Sequence, residues 1–210
     1  MSRPVPYPSL ALALPPRLCG EVGLYVAAWS AGCSAQRWDI PFDKRDKATH
    51  RFTIADTRGR LDLTVPIVKP HSHRCLWNSI EVSAHGGWWD VHRVALESAY
   101  GRTPYFEFYI DRFLPMLSAG VTERFPLLVD LALAWDAEIR SCLGLEIDRI
   151  DDAIPLVSSI PATLTPYRQI RAGRLGFISG LSILDLLFNL GPEAQLWLHA
   201  NAFHANGPRL

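Results

Sequence analysis

Cysteine is scarce in this chain. Its four cysteines, Cys19, Cys33, Cys75 and Cys142, stand far apart and form no CxxC pair. Such spacing supplies neither a zinc site nor a disulfide framework, and it fits a reduced compartment. An excess of one charge is also lacking, since 21 Lys and Arg balance 21 Asp and Glu. No global field therefore draws the protein to nucleic acid or to a membrane surface, and no basic stripe with interleaved aromatics marks a nucleic-acid face. No apolar run approaches the roughly 18 residues of a membrane span. The apolar part of "MSRPVPYPSLALALPP" is hemmed in by prolines and too short for a signal-peptide core, so a cytoplasmic location is expected. Neither a P-loop nor a dinucleotide-binding glycine pattern occurs, which argues against ATP or NAD bound in the familiar ways. Internal repeats and low-complexity segments are missing too.

What is present is a chain of 210 residues, 49% hydrophobic, with no obvious linker. A domain of this length buries roughly 70% of the surface its unfolded chain exposes. "LALALPP", residues 10–16, reads as a short buried strand stopped by prolines, and Leu18 to Ala31 as a helix weakened by Gly20 and Gly23. Residues 50–67 carry a hairpin pattern, with "FTIA" and "LDLTVPI" alternating around the turn Asp56-Thr57-Arg58-Gly59. "WNSIEVS", residues 77–83, has the look of a third strand.

From Gly87 the period changes. Trp88, His92, Ala95, Leu96 and Ala99 fall on one helical face, with Asp90, Arg93 and Glu97 opposite. Gly101 to Pro104 breaks that helix, and Pro104 can begin the next. Phe106, Ile110, Phe113 and Leu117 then form an apolar stripe, and Tyr105, Phe106, Phe108 and Tyr109 read as core. A helix is expected over Glu123 to Leu143 with Phe125, Leu128, Leu131, Trp135 and Ile139 inward. "SGLSILDLLFNLGPEAQLWL" encodes a short helix, a Gly-Pro stop and a last amphipathic helix. The order of strands, then helices, predicts an α+β or mixed α/β fold: a small N-terminal sheet with a hairpin, followed by a helical bundle packed on it.

Several of these stretches resemble one family. "FDKRDKATHRFTI", "LDLTVPI", "HRVALESAYGRTPYFEFYID" and "FISGLSILDLLFNLGPEA" are similar to segments of the WbqC-like proteins of bacteria, and "LALALPP" matches a family strand ending in a proline pair. Gly180 stands where the family has asparagine, and "RLCGEVGLYVAAW" replaces an aromatic-rich helix. The resemblance spans nearly the whole chain and implies one domain over residues 1–210. It also implies a cytoplasmic tailoring protein of bacterial polysaccharide or O-antigen biosynthesis. The implied activity is transfer of an acyl or aminoacyl group, glycine among the candidates, to the amine of a nucleotide-linked amino sugar.

Such a transfer needs a group to take the amine's proton, donors for the tetrahedral oxyanion, and guanidinium groups for phosphates. His92 is the candidate base, and Asp185, an acid inside an apolar helix, is the candidate to orient His92 or the amine; both are assigned to catalysis. Arg51, at the start of the hairpin, and Arg102, in the helix break, are candidate phosphate clamps. Ser98 and Asn189 are candidate substrate contacts. Each has a plainer reading: core packing for His92, a salt bridge for Asp185, capping for Ser98 and Asn189. The sequence identifies no cofactor, and the donor could be an acyl carrier protein, a coenzyme A thioester, an aminoacyl-tRNA or an ATP-activated acid.

Other readings stay open. Cys75 follows "PHSHR" and could hold a thioester, although small buried cysteines are commonplace. His71, His73 and His85 could bind a metal, but their spacing gives weak support and no metal is expected. The protein could also be a non-catalytic binding or scaffold partner. Convergence of Arg51, His92 and Asp185 in one cleft would favour an enzyme, because buried charges cost several kcal/mol when uncompensated. Their dispersal would favour the scaffold.

Overall fold

The structure, a computed structural model, describes residues 12–31, 33–70, 74–145, 148–149 and 164–205. Strand β1, Leu12–Leu14, leads through helix α1, Val22–Ala31, to strand β2, Cys33–Gln36, which lies parallel to β1. The two prolines after β1 prevent its extension, and the helix starts at Val22 instead of Leu18. Leu18 is held elsewhere: its N–H donates to the Thr49 carbonyl.

Strands β3, Arg51–Asp56, and β4, Gly59–Thr64, form the expected hairpin, paired antiparallel from Arg51 with Thr64 to Asp56 with Gly59. Its turn follows from side-chain chemistry. Asp56 Oδ1 accepts the Arg58 N–H at 2.7 Å, and Gly59 adopts φ +124°, open to glycine alone at little strain. Phe52, Ile54 and Leu63 point into the core, as period two requires.

Residues 77–83 do not continue this sheet. Trp77–Ser79 form a 3-10 turn, and Glu81 and Val82 make isolated bridges to Leu127 and Ile67. Trp77, Ile80 and Val82 are all buried while Asn78 and Ser79 are exposed, so the apolar spacing is three and then two. Ser79 Oγ donates back to the Leu76 carbonyl and fixes the turn.

Helix α2, Trp88–Tyr100, buries Trp88, His92, Leu96, Ala99 and Tyr100 on one face. It ends at the Gly101–Thr103 turn, where Thr103 Oγ1 donates to the Tyr100 carbonyl. Helix α3 begins at Phe106 and ends at Phe113, so Pro104 lies just before it. Its period turns Phe106 and Phe113 inward and leaves Phe108 outside the core, 77% exposed. The helix expected over residues 123–143 is divided. Helix α4, Val121–Arg124, is one turn; Pro126 breaks it, and helix α5, Leu128–Leu143, follows. A proline lacks the N–H and restricts the residue before it, here Phe125 at φ −131°, ψ 76°. Gly144, at φ 60°, then caps α5.

Strand β5, Asp148–Arg149, joins β2 in parallel, giving the sheet order β1-β2-β5. Helix α6, Ala172–Leu175, is a single turn. Helix α7, Ile183–Leu190, is buried from Ile183 to Asn189, and helix α8, Glu193–Ala205, follows. The domain is thus mixed α+β and mostly helical. Phe188 of α7 packs against Tyr100, Phe106 and Phe113, and Phe113 stacks on Trp135 at 5.1 Å. Gly180 adopts φ +65°, a region that asparagine tolerates better than most residues.

Gly191, at φ +53°, turns α7 into α8 beneath the Tyr105 ring, which an added Cβ would strike. Gly191→Ala is expected to destabilise the fold by about 2 kcal/mol or more, from left-handed strain plus overpacking. Chemical denaturation checks this; an unchanged midpoint would mean that the ring moves aside freely.

Candidate functional site

Two polar residues interrupt the apolar α7, and their i, i+4 spacing puts them on one face. Asp185 is 1% exposed. Its Oδ2 accepts the Tyr167 hydroxyl at 2.6 Å and Gln169 Nε2 at 2.9 Å. Asn189 Nδ2 donates to the Asp185 carbonyl, and its Oδ1 accepts the Ile170 N–H at 2.8 Å. Gln169 also brackets Ile178, donating to its carbonyl and accepting its N–H, each at 2.9 Å. The Tyr100 hydroxyl oxygen accepts the Ala55 N–H at 3.1 Å, leaving its hydrogen for the carboxylate side. Asp185 Oδ1 is buried and makes no hydrogen bond of ordinary geometry.

The electrostatics follow from this burial. Desolvation raises the Asp185 pKa, while the hydroxyls of Tyr167 and Tyr100 and the amide of Gln169 act against it. The same burial, then the Asp185 charge, pushes Tyr167 and Tyr100 upward, so both keep their protons. Hydrogen bonds to a charged group contribute about 1.5–3 kcal/mol each, against several kcal/mol for burying the ion. The two bonds at Oδ2 and the Tyr100 hydroxyl thus offset the burial only in part, and the Asp185 pKa stays raised.

The other expected site residues are distributed differently. His92 is 3% exposed, between Trp88 at 5.2 Å and Phe52 at 5.7 Å between ring centres. Its Nε2 lies 3.2 Å from the Thr64 carbonyl, which can only accept, so the proton is on Nε2 and the Nδ1 lone pair is buried without a partner. Burial lowers its pKa to about 4, partly offset by the Thr64 bond, and the ring is neutral. Tyr100 lies eight residues further along α2, about 12 Å of helix rise. Asp185 therefore belongs to a different cluster from His92. Arg51 lies on the outer face of the hairpin, opposite Phe52, bonded to Thr64 Oγ1 at 2.8 Å and Asp62 at 3.1 Å. Arg102 is exposed in the turn after Tyr100. Ser98 is exposed as well; its carbonyl and that of Ala99 accept from Arg171 Nη2. Arg51, His92 and Asp185 do not share one cleft.

A second polar cluster joins α1 to α5. Tyr25 donates to Asp136 Oδ1 at 2.9 Å, and Arg140 Nε lies 2.8 Å from Asp136 Oδ2. Burial first, and then the Asp136 charge, hold the neighbouring Cys19 thiol far above its ordinary pKa, which disfavours a nucleophile. The adjoining cavity, at the carboxyl ends of β1 and β2, measures about 10 Å³, room for roughly one water. It is lined by Leu14, Gly20, Tyr25, Gln36, Asp136 and Arg140 among others. Cys75 is half-buried and its carbonyl accepts the Phe42 N–H. His71 and His73 lie outside the described residues, and His85 is exposed. Among the described residues no group of three His, Cys, Asp or Glu is arranged to hold a metal, and no helix is long and apolar enough to cross a membrane.

Sequence reasoning missed Tyr167 and Gln169, although their i, i+2 spacing is that of an extended segment with one buried edge. It also passed over Tyr25, Asp136 and Arg140; the i, i+4 acid–base pair beside Trp135 was the available signal.

The fold and its buried polar cluster define a mixed α+β domain with a carboxyl group enclosed under an extended segment. The chain belongs to the WbqC-like protein family, which matches residues 39–153. No curated protein and no solved structure matches it. The matched region holds the hairpin and α2 to α5, whereas Asp185 and Asn189 follow it.

Asp185→Asn tests the electrostatic account. A raised native pKa makes the carboxyl's contribution to stability complete below the unfolded value near 3.9 and lost as pH rises through the native value. The amide oxygen of asparagine can still accept from Tyr167 and Gln169, without titrating. The variant is expected to gain in Tm relative to wild type from about pH 4 upward. A difference that stays flat between pH 4 and 8 would show that burial does not perturb this carboxyl.

Proposed function

We propose that this protein transfers an acyl or aminoacyl group, glycyl among the candidates, to the amine of a nucleotide-linked amino sugar in bacterial polysaccharide biosynthesis, with Asp185 as the reacting carboxylate. One observation carries this reading: Oδ1 of a fully buried carboxyl makes no hydrogen bond of ordinary geometry, while Oδ2 accepts two donors and the Tyr100 hydroxyl is turned toward the carboxylate. An arriving amine is a donor that such an oxygen can accept. Membership of the WbqC-like family and the resemblance set out above support the substrate class and the cytoplasmic setting, where sugar nucleotides are made.

In this reading the amine nitrogen attacks the acyl carbon. A carbon–nitrogen bond forms, the bond between acyl group and donor breaks, and the amine's proton passes to Asp185 and then to the leaving group. A carboxylate with its pKa raised by burial is a better base for this step than one in water. The Tyr100 hydroxyl, fixed by the Ala55 N–H, keeps its hydrogen on the carboxylate side and helps to orient Asp185. Arg102, two residues beyond Tyr100, is the candidate phosphate clamp, and Asn189 holds the backbone that covers Asp185. His92 is sealed and neutral, and its bond to Thr64 clamps α2 to the hairpin.

The dispersal of Arg51, His92 and Asp185 favours a second reading, a non-catalytic partner that binds a metabolite in the same pathway. Thermal-shift titration with a uridine-diphosphate amino sugar, followed by mass spectrometry after adding acyl and aminoacyl thioesters, separates the two. Ligand at 100 times its Kd stabilises by about 2.7 kcal/mol. The transferase reading expects a shift in wild type that Arg102→Ala diminishes, and an amide product that Asp185→Asn abolishes while still binding. A shift without product from any donor supports the binding partner, and no shift in the wild type overturns both.

A further inference from the structure

Residues 164–178 are attached to the domain in an unusual way. Among the described residues, their backbone-to-backbone hydrogen bonds remain inside the segment: Ala172 N–H to Gln169, Arg174 and Leu175 N–H to Arg171, Gly176 N–H to Ala172. Every hydrogen bond that ties them to other described elements uses a side chain. Asn201 Oδ1 takes the Thr165 N–H, Asn189 Oδ1 takes the Ile170 N–H, and Arg171 reaches the last carbonyls of α2. Tyr167 and Gln169 close on Asp185. Only these last two side chains in the segment are buried, and Tyr167 rests edge-on against Phe177 and Trp197. At the far end Gly176 and Gly180 have φ +71° and +65°, conformations that glycine adopts at little strain, and Arg60 donates to the Ser179 and Gly180 carbonyls just beyond the segment.

We propose that residues 164–178 form a strap that opens as one unit from α7 to admit the acceptor amine, with Tyr167, Asp185 and Gln169 as its latch. The proposal rests on Asp185 as the reacting centre, and its chemistry is an exchange of donors. Tyr167 O–H and Gln169 N–H both donate to Asp185; an arriving ammonium brings N–H donors of its own. The carboxylate passes from one set to the other without being left unpaired, the state that would oppose opening most strongly. Side-chain anchors can be replaced one by one by water, whereas a ladder of backbone bonds would have to break together, so the segment belongs among the regions that open locally.

Hydrogen exchange of the full-length chain tests this directly. Tyr167→Phe keeps the ring packing and removes the latch hydroxyl. Loss of one bond to a charged group should speed exchange over residues 164–178 at least about tenfold, leaving α5 and α7 unchanged. Tyr25→Phe, which removes the equivalent bond to Asp136, should not accelerate the strap selectively. Uniform acceleration of the whole chain by Tyr167→Phe, or strap exchange as slow as that of α7 in wild type and variant alike, overturns the proposal. Glucosamine, compared with glucose, then tests the amine. Faster strap exchange with glucosamine alone supports amine-driven opening. If neither sugar changes exchange but Tyr167→Phe still frees the strap, the strap stands and the assignment of the amine to Asp185 falls.

Discussion

Placing an ionisable carboxyl inside an apolar helix obliges the rest of the protein to supply what water would have given it. α7 lies at the centre of the domain, with Phe188 inserted among Tyr100, Phe106 and Phe113, so Asp185 on the same helix cannot reach solvent. Donors have to come to it, and they come from other parts of the chain: Tyr167 and Gln169 from the segment preceding α7, with the Tyr100 hydroxyl from α2 close by. That demand explains why an extended stretch poor in buried apolar side chains is ordered here. It also explains why Tyr100, at the end of a helix, is fixed by the Ala55 N–H of the hairpin.

The Gly101–Thr103 break between α2 and α3 serves the same centre. It ends α2 just where Tyr100 can turn its ring onto Phe188, and it frees the last carbonyls of α2 for Arg171. The bulky residues around the break divide by helix period. Trp88, Phe106 and Phe113 form the wall, while Phe108 faces away from it. His92 belongs to that wall, since its proton-bearing nitrogen satisfies a strand carbonyl and its ring fills the space between Trp88 and Phe52. The Tyr25–Asp136–Arg140 cluster plays a comparable part at the other side of the core, and there both carboxylate oxygens are occupied.

What could be read from the sequence was local. The β3–β4 hairpin is specified by alternation over a short span and by an aspartate–glycine turn, and the buried face of α2 by a period of 3.6. Residues 77–83 misled because three apolar side chains at spacings of three and two imitate alternation. Pro126 divides a helix whose apolar pattern runs across it, since the missing N–H matters only to the backbone. Asp185 and Asn189 stood out as polar residues on an apolar helix, which marks them as anomalies without naming their partners.

The sequence by itself determined the mixed α+β class, the hairpin, the helical faces and the presence of a costly acid in α7, because each depends on residues close together along the chain. Only the tertiary structure decided that β1, β2 and β5 pair in parallel, that Tyr167 and Gln169 attend Asp185, and that His92 and Arg51 face other partners. Parallel pairing and the donors of a buried charge join residues far apart in sequence. Their choice depends on which groups the packed helices bring within hydrogen-bonding distance, and no local period encodes that.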